Sequence, residues 1–170
     1  MTTFALRNLR LRPGEEHEVT LAVAHEPFLL GGQTYVVDPP TPEARLTIQR
    51  ATGGDVFRLR FAATLVGPCM RCLADARVTA DVDATEYNDA SATAPPELRT
   101  EYVADGDLDV SGWARDQLAF ELPQQILCRP DCAGLCAVCG KNLNDEPHEH
   151  DDAPSDPRWA ALEALRQPRS

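Results

Sequence analysis

The chain has 170 residues, 43% of them apolar and 25% charged, which is the balance of a globular protein long enough for one domain to bury about two-thirds of its unfolded surface. Its net charge of −11 argues against a protein whose main task is gripping phosphate backbones, which requires a basic surface. No apolar run approaches the roughly 20 residues that cross a bilayer, and the arginine-bearing start lacks the apolar core of a signal peptide, so a cytoplasmic location without a membrane partner is expected.

The charge is unevenly placed. Residues 77–127 carry eleven acids against three arginines, whereas residues 1–76 balance eight against eight. That distribution leaves either a protein as the main partner, or nucleic acid met only by a local arginine group such as Arg7, Arg10 and Arg12, or Arg58, Arg60 and Arg71; the plainer reading of those arginines is a solvated face on a neutral sheet.

In chain order, the first half reads as strands. FALRNLRL (4–11) alternates loosely and HEVTLAV (17–23) cleanly. EARLTIQRA (43–51) and DVFRLRFAATLV (55–66) flank Thr52-Gly53-Gly54, a hairpin turn. Phe57, Leu59 and Phe61 fall on one face, and Val56, Arg58 and Arg60 on the other. ADARVTADVDATEYN (74–88) alternates again, so an antiparallel sheet or barrel-like half is expected. GPCMRCL (67–73) sets a first CxxC at the turn between the last two strands. ASATAPPE (90–97) reads as a flexible loop, and TEYVADGDLDV (100–110) as short extended structure around an Asp-Gly turn. A helix is expected over 111–123, capped by Ser111, carrying Val110, Ala114, Leu118 and Leu122 on one stripe and ended by Pro123. A second, short helix is expected with Asp156 or Ser155 as its cap, Pro157 at its first position, and Trp159, Leu162 and Leu165 on one face. The chain thus divides into a mainly β domain, 1–127, and a Cys/His-rich segment with its helix, 128–170.

Six cysteines in a reducing compartment point to metal rather than structural disulfides. Cys136-Ala-Val-Cys139-Gly140 has the form of a zinc knuckle: two intervening residues let both thiolates converge, and glycine permits the turn after the second ligand. Cys128, Cys132, His148 and His150 stand close by in sequence, and Cys69 and Cys72 raise the candidates to eight, two full tetrahedra. Only three residues separate Cys132 from Cys136, which cramps a site built from the four neighbouring cysteines alone. Spacing is compatible with one zinc or two, and leaves Cys69 and Cys72 readable also as two partly buried thiols. The spacing Cys132-x3-Cys136-x2-Cys139 also occurs in radical-SAM enzymes, but the barrel they need does not fit the 31 residues after Cys139. A thioredoxin-like pair belongs at a strand-to-helix junction, not between strands, and a catalytic zinc lacks a framing HExxH helix. No P-loop, GxGxxG or GxSxG is present, and His17 and His25 read as ordinary surface histidines. No enzyme activity, catalytic residue or small-molecule substrate is expected.

GPCMRCL, LDVSGWARDQLAFELPQQILC, CAGLCAVCGKNLN and DPRWAALEAL together resemble the YceD-like family of large-ribosomal-RNA-subunit accumulation proteins, over most of residues 60–166. The resemblance implies a non-enzymatic factor supporting accumulation or maturation of the large-subunit ribosomal RNA, with large-subunit precursors or assembly proteins as partners. It implies that Cys69 and Cys72 match the family's first cysteine pair and that Cys128, Cys132, Cys136 and Cys139 match its second group. Many relatives end that group with Cys-x-Cys where this chain has His148-x-His150, a change that keeps good zinc ligands. The expected fold is α+β: an antiparallel sheet, a packed helix, a zinc-knuckle loop and a short C-terminal helix. The alternatives are a zinc-stabilised interaction module unconnected with the ribosome, or a CxxC thiol redox protein.

Overall fold

A computed structural model describes residues 1–89, 91 and 93–150. The helix expected from Pro157 onward lies outside the described residues, as do two residues of the expected loop at 90–97. The contacts divide the chain into two compact units, Met1–Cys132 and Ala133–Ser170.

The first unit is mostly antiparallel sheet with one α-helix, the α+β class. Its strands are β1 (Thr3–Ala5), β2 (Glu16–Ala22), β3 (Phe28–Leu30), β4 (Gln33–Val37), β5 (Glu43–Arg50), β6 (Gly54–Pro68), β7 (Asp75–Asp89), β8 (Val103–Ala104) and β9 (Asp107–Asp109). The helix is α1 (Val110–Glu121). β6 is the spine. One edge pairs with β7 from Gly54↔Asp89 to Pro68↔Asp75. The other edge pairs first with β5 and then with β4, so the two strands share one side of a single 15-residue strand. β2 and β3 complete a sheet of six strands, and β1, β9 and β8 form a separate one of three.

Alternation explains which face is inside. Phe57, Leu59, Phe61, Ala63 and Leu65 of β6 are buried, with Ala76, Ala80, Val82 and Ala84 of β7. Arg58 and Arg60 point outward and meet Asp83 of β7 in solvent. α1 packs against β7, burying Val110, Trp113, Ala114 and Leu118.

Several expectations are corrected. The first strand is three residues long, because Leu6–Asn8 turn into a single 3-10 turn and leave the loose alternation of 4–11 unused. β3 and β4 were not expected: two glycines, Gly31 and Gly32, both at positive φ, join three- and five-residue strands too short to show a period. Asp109 caps α1 by accepting a hydrogen bond from the Gly112 N–H at 2.9 Å, while the Ser111 hydroxyl accepts from the Thr2 N–H instead. His25 is half-buried, its ring 5.6 Å from Phe61, and burial and then the charge of Arg115 lower its pKa.

Candidate metal centres

The β6–β7 hairpin delivers Cys69 and Cys72 at its tip. Gly67 lets the strand pass under Tyr35, where an added Cβ would stand 2.4 Å from the ring, and the Tyr35 hydroxyl donates to the Pro68 carbonyl at 2.7 Å. The turn that follows is closed by two backbone hydrogen bonds: Leu73 N–H to the Cys69 carbonyl (3.0 Å) and Cys69 N–H to the Ala74 carbonyl (2.7 Å). Leu73 takes a left-handed φ of 63° to make it.

The second CxxC repeats this turn bond for bond. Gly140 N–H donates to the Cys136 carbonyl (2.8 Å), Cys136 N–H to the Lys141 carbonyl (2.8 Å), and Gly140 holds φ 73°. Two segments 67 positions apart therefore fold their cysteine pairs into one geometry, with both sulfurs turned to the same side.

Each turn meets a different second arm. Beyond α1, the Met70 N–H donates to the Ile126 carbonyl (2.9 Å), and Arg71, between the two cysteines, reaches Gln125 Oε1 (3.3 Å) and the Cys132 carbonyl (3.1 Å). These contacts seat the 125–132 segment on the hairpin tip and bring Cys128 and Cys132 to Cys69 and Cys72. The Cys69 and Cys132 sulfurs are 3.7 Å apart, the Cys72 and Cys128 sulfurs 3.5 Å, and all four lie within 4.8 Å of one another. Four sulfurs about 2.3 Å from a shared zinc stand about 3.8 Å apart, so this spacing fits the ion. Cys69, Cys72 and Cys132 are buried and Cys128 is exposed.

In the second unit, Cys136, Cys139, His148 and His150 gather within the same 4.8 Å limit. Cys139 Sγ is 3.1 Å from His148 Nε2. His148 Nδ1 lies 2.6 Å from the Glu146 carbonyl, which can only accept, so Nδ1 carries the proton and Nε2 presents a lone pair to the sulfurs. Lys141 pairs with Glu146 at 2.6 Å and holds the loop that carries the histidine.

These crowded thiols shift in opposite directions. Burial pushes the Cys69 thiol up, but the backbone N–H groups of Cys72, Arg71 and Cys128 outweigh it and bring it down to about 6. The Cys72 sulfur first, then desolvation and the other two sulfurs, push Cys128 up to about 12. In the second cluster the N–H groups of Cys139 and Val138 bring Cys136 down to about 6. A divalent ion held among these sulfurs would favour the thiolate form of its ligands.

All eight residues singled out by type come together, but not in sequence order: Cys128 and Cys132 join the hairpin cysteines, not their neighbours Cys136 and Cys139. Arg71, the tie between the arms, was read from the sequence only as a member of an arginine group for RNA contact and not as part of a metal site; its position inside the CxxC was the one available signal.

The model of the family described as "Large ribosomal RNA subunit accumulation protein YceD" matches residues 57–166, a span that contains both clusters. This chain belongs to the YceD family. A protein of Mycobacterium tuberculosis, named only as uncharacterized, is 33% identical over 174 residues, covering 99% of this chain and 83% of its own. An uncharacterized Mycobacterium leprae protein is 35% identical over 111 residues, 62% of this chain and 50% of its own. A maize protein named chloroplastic large ribosomal RNA subunit accumulation protein YCED homolog 1 is 44% identical over 42 residues, 25% of this chain and 14% of its own. No solved structure matches. Among the described residues no helix is long and apolar enough to cross a membrane.

Proposed function

We propose that this protein is a cytoplasmic, non-enzymatic factor that supports accumulation or maturation of the large-subunit ribosomal RNA, held in shape by structural zinc. The observation that carries the reading is the family match over residues 57–166, which takes in every cysteine of the chain together with His148 and His150. The donor set supports a structural role for the metal: thiolate and imidazole suit zinc, and four protein donors per cluster leave no open position for a reacting water. Zinc bound there would supply a fixed cross-link rather than a Lewis acid.

Three of the six arginines in the two arginine groups, Arg7, Arg58 and Arg60, are paired with acids, which supports protein contact over RNA contact at their positions. Arg58 grips Asp83 through two hydrogen bonds, at 2.7 and 2.6 Å, and Arg60 adds a third at 3.3 Å. Arg7 pairs with Asp107 and Arg45 with Glu18. Arginines already paired with acids offer phosphate little net field. The partner is accordingly a protein of the large-subunit precursor. Depletion of the protein is expected to lower large-subunit relative to small-subunit ribosomal RNA, and an unchanged ratio contradicts the reading. The acidic surface also favours a second reading, a zinc-stabilised module with a partner outside ribosome assembly. Sedimentation with large-subunit precursors supports the first, and migration apart from every ribosomal particle supports the second.

A further inference from the structure

We propose that the two clusters are two separate zinc sites with different ligands and different work: Cys69, Cys72, Cys128 and Cys132 form an all-thiolate clasp within the β unit, and Cys136, Cys139, His148 and His150 form a mixed site that is the folding core of residues 133–150. The proposal rests on the reading of the clusters as zinc sites and adds their number, ligand partition and roles.

Three observations carry it. First, the two CxxC turns share one hydrogen-bonding pattern, so each is a complete two-ligand half-site in need of its own second arm. Each has one, and the arms differ in chemistry: a Cys-x3-Cys segment for the first, a His-x-His segment for the second. The first four sulfurs are spaced for one tetrahedron, as are the second four donors, and no ligand is left over.

Second, the units differ in what else holds them. The first has a hydrophobic core running from Val23 to Ile126. There the clasp joins the hairpin tip to a segment already seated by Met70 and Arg71, so it tightens a fold that burial has largely specified. Among the described residues after Cys132, no apolar side chain is buried; Leu135 and Val138 are 37% and 63% exposed. A short segment with no apolar core cannot offset its chain entropy alone, so there the ion must supply the folding free energy.

Third, the ligands differ in access. Three of the four thiolates of the clasp are buried, whereas Cys139 and His150 are exposed and Cys136 and His148 half-buried. Water and chelators reach the mixed site first. Four thiolates around one zinc carry a net charge of −2 and two thiolates with two neutral imidazoles carry none, so the two sites are also electrically unlike.

The test uses the reduced full-length chain, with zinc content measured directly and amide spectra recorded for both units. Two zinc ions per chain are expected, falling to one in Cys72→Ser/Cys128→Ser and to one in His148→Ala/His150→Ala. The histidine variant is expected to lose the dispersed amide signals of residues 133–150 and to keep those of the β unit. On stepwise chelation of the wild type, the 133–150 signals should go before the single ion of the clasp is lost. One zinc per chain in the wild type, removed by either double variant, overturns the partition while leaving zinc binding in place. No zinc at all overturns the zinc reading itself, and a histidine variant with two zinc ions or with residues 133–150 still ordered overturns the role assigned to the mixed site.

Discussion

Leu73 and Gly140 occupy the same position after a CxxC, yet only one is glycine. A left-handed φ costs an L-residue about 1–2 kcal/mol, and Leu73 is 55% exposed, so little packing offsets that cost. Leu73→Gly is expected to raise the stability of the β unit by up to about 1 kcal/mol, the backbone relief being partly cancelled by greater freedom of the unfolded chain. Gly140→Ala is expected to act in reverse on residues 133–150. Nothing lies within 4 Å of an added Cβ there, so the φ of 73° alone sets the cost, about 1 kcal/mol, read as weaker zinc affinity. Denaturant titration of the first variant and competition with a chelator for the second check both. If Leu73→Gly destabilises while Gly140→Ala is silent, the two turns are not equivalent. The sequence does mark the second turn, since glycine after CxxC advertises a left-handed residue. It conceals the first, because a leucine there gives no such sign.

Among the elements, α1 shows where reading by residue type misleads. Ser111 and Asp109 are both good caps, and the stripe Val110–Ala114–Leu118 fits a helix beginning at either. The geometry chooses Asp109, whose carboxylate accepts from Gly112 while Ser111 is held by Thr2. Asp109→Ala is expected to cost about 1 kcal/mol, with Asp109→Asn retaining most of the stability, because the amide oxygen still accepts. Equal loss in both variants would contradict a capping role. Long strands with strict alternation, β6 and β7, are legible because period 2 persists over 15 residues each. Their outward charges are equally plain, and Arg58 first, then Arg60, hold the Asp83 carboxyl down at about 2. Because the folded value lies below the ordinary one near 3.9, the stability this carboxylate lends is full above about pH 4 and is lost as pH falls through about 2. A carboxyl resonance titrating near 2, and moving up in Arg58→Ala, is the expected result; no movement would place the cause elsewhere.

For the molecule as a whole, the donors were readable and their partition was not. Residue type and local spacing expose all eight ligand candidates, since each CxxC and the His-x-His are short-range patterns. Pairing Cys72 with Cys128 depends on a closure over 56 positions that includes β7 and α1, and no local period encodes it. What decides it is where α1 ends and which carbonyl the Met70 N–H finds, both consequences of packing. The crowding of Cys132 against Cys136 was the only hint that the four neighbours must part. The eight donors, six sulfurs and two imidazole nitrogens, therefore require an average zinc environment of three sulfurs and one nitrogen. X-ray absorption at the zinc edge of the intact, reduced protein measures that environment directly. The expected result is a first shell averaging three sulfurs near 2.3 Å and one nitrogen near 2.0–2.1 Å, with no oxygen. A shell of sulfur alone, or one containing water, would contradict it.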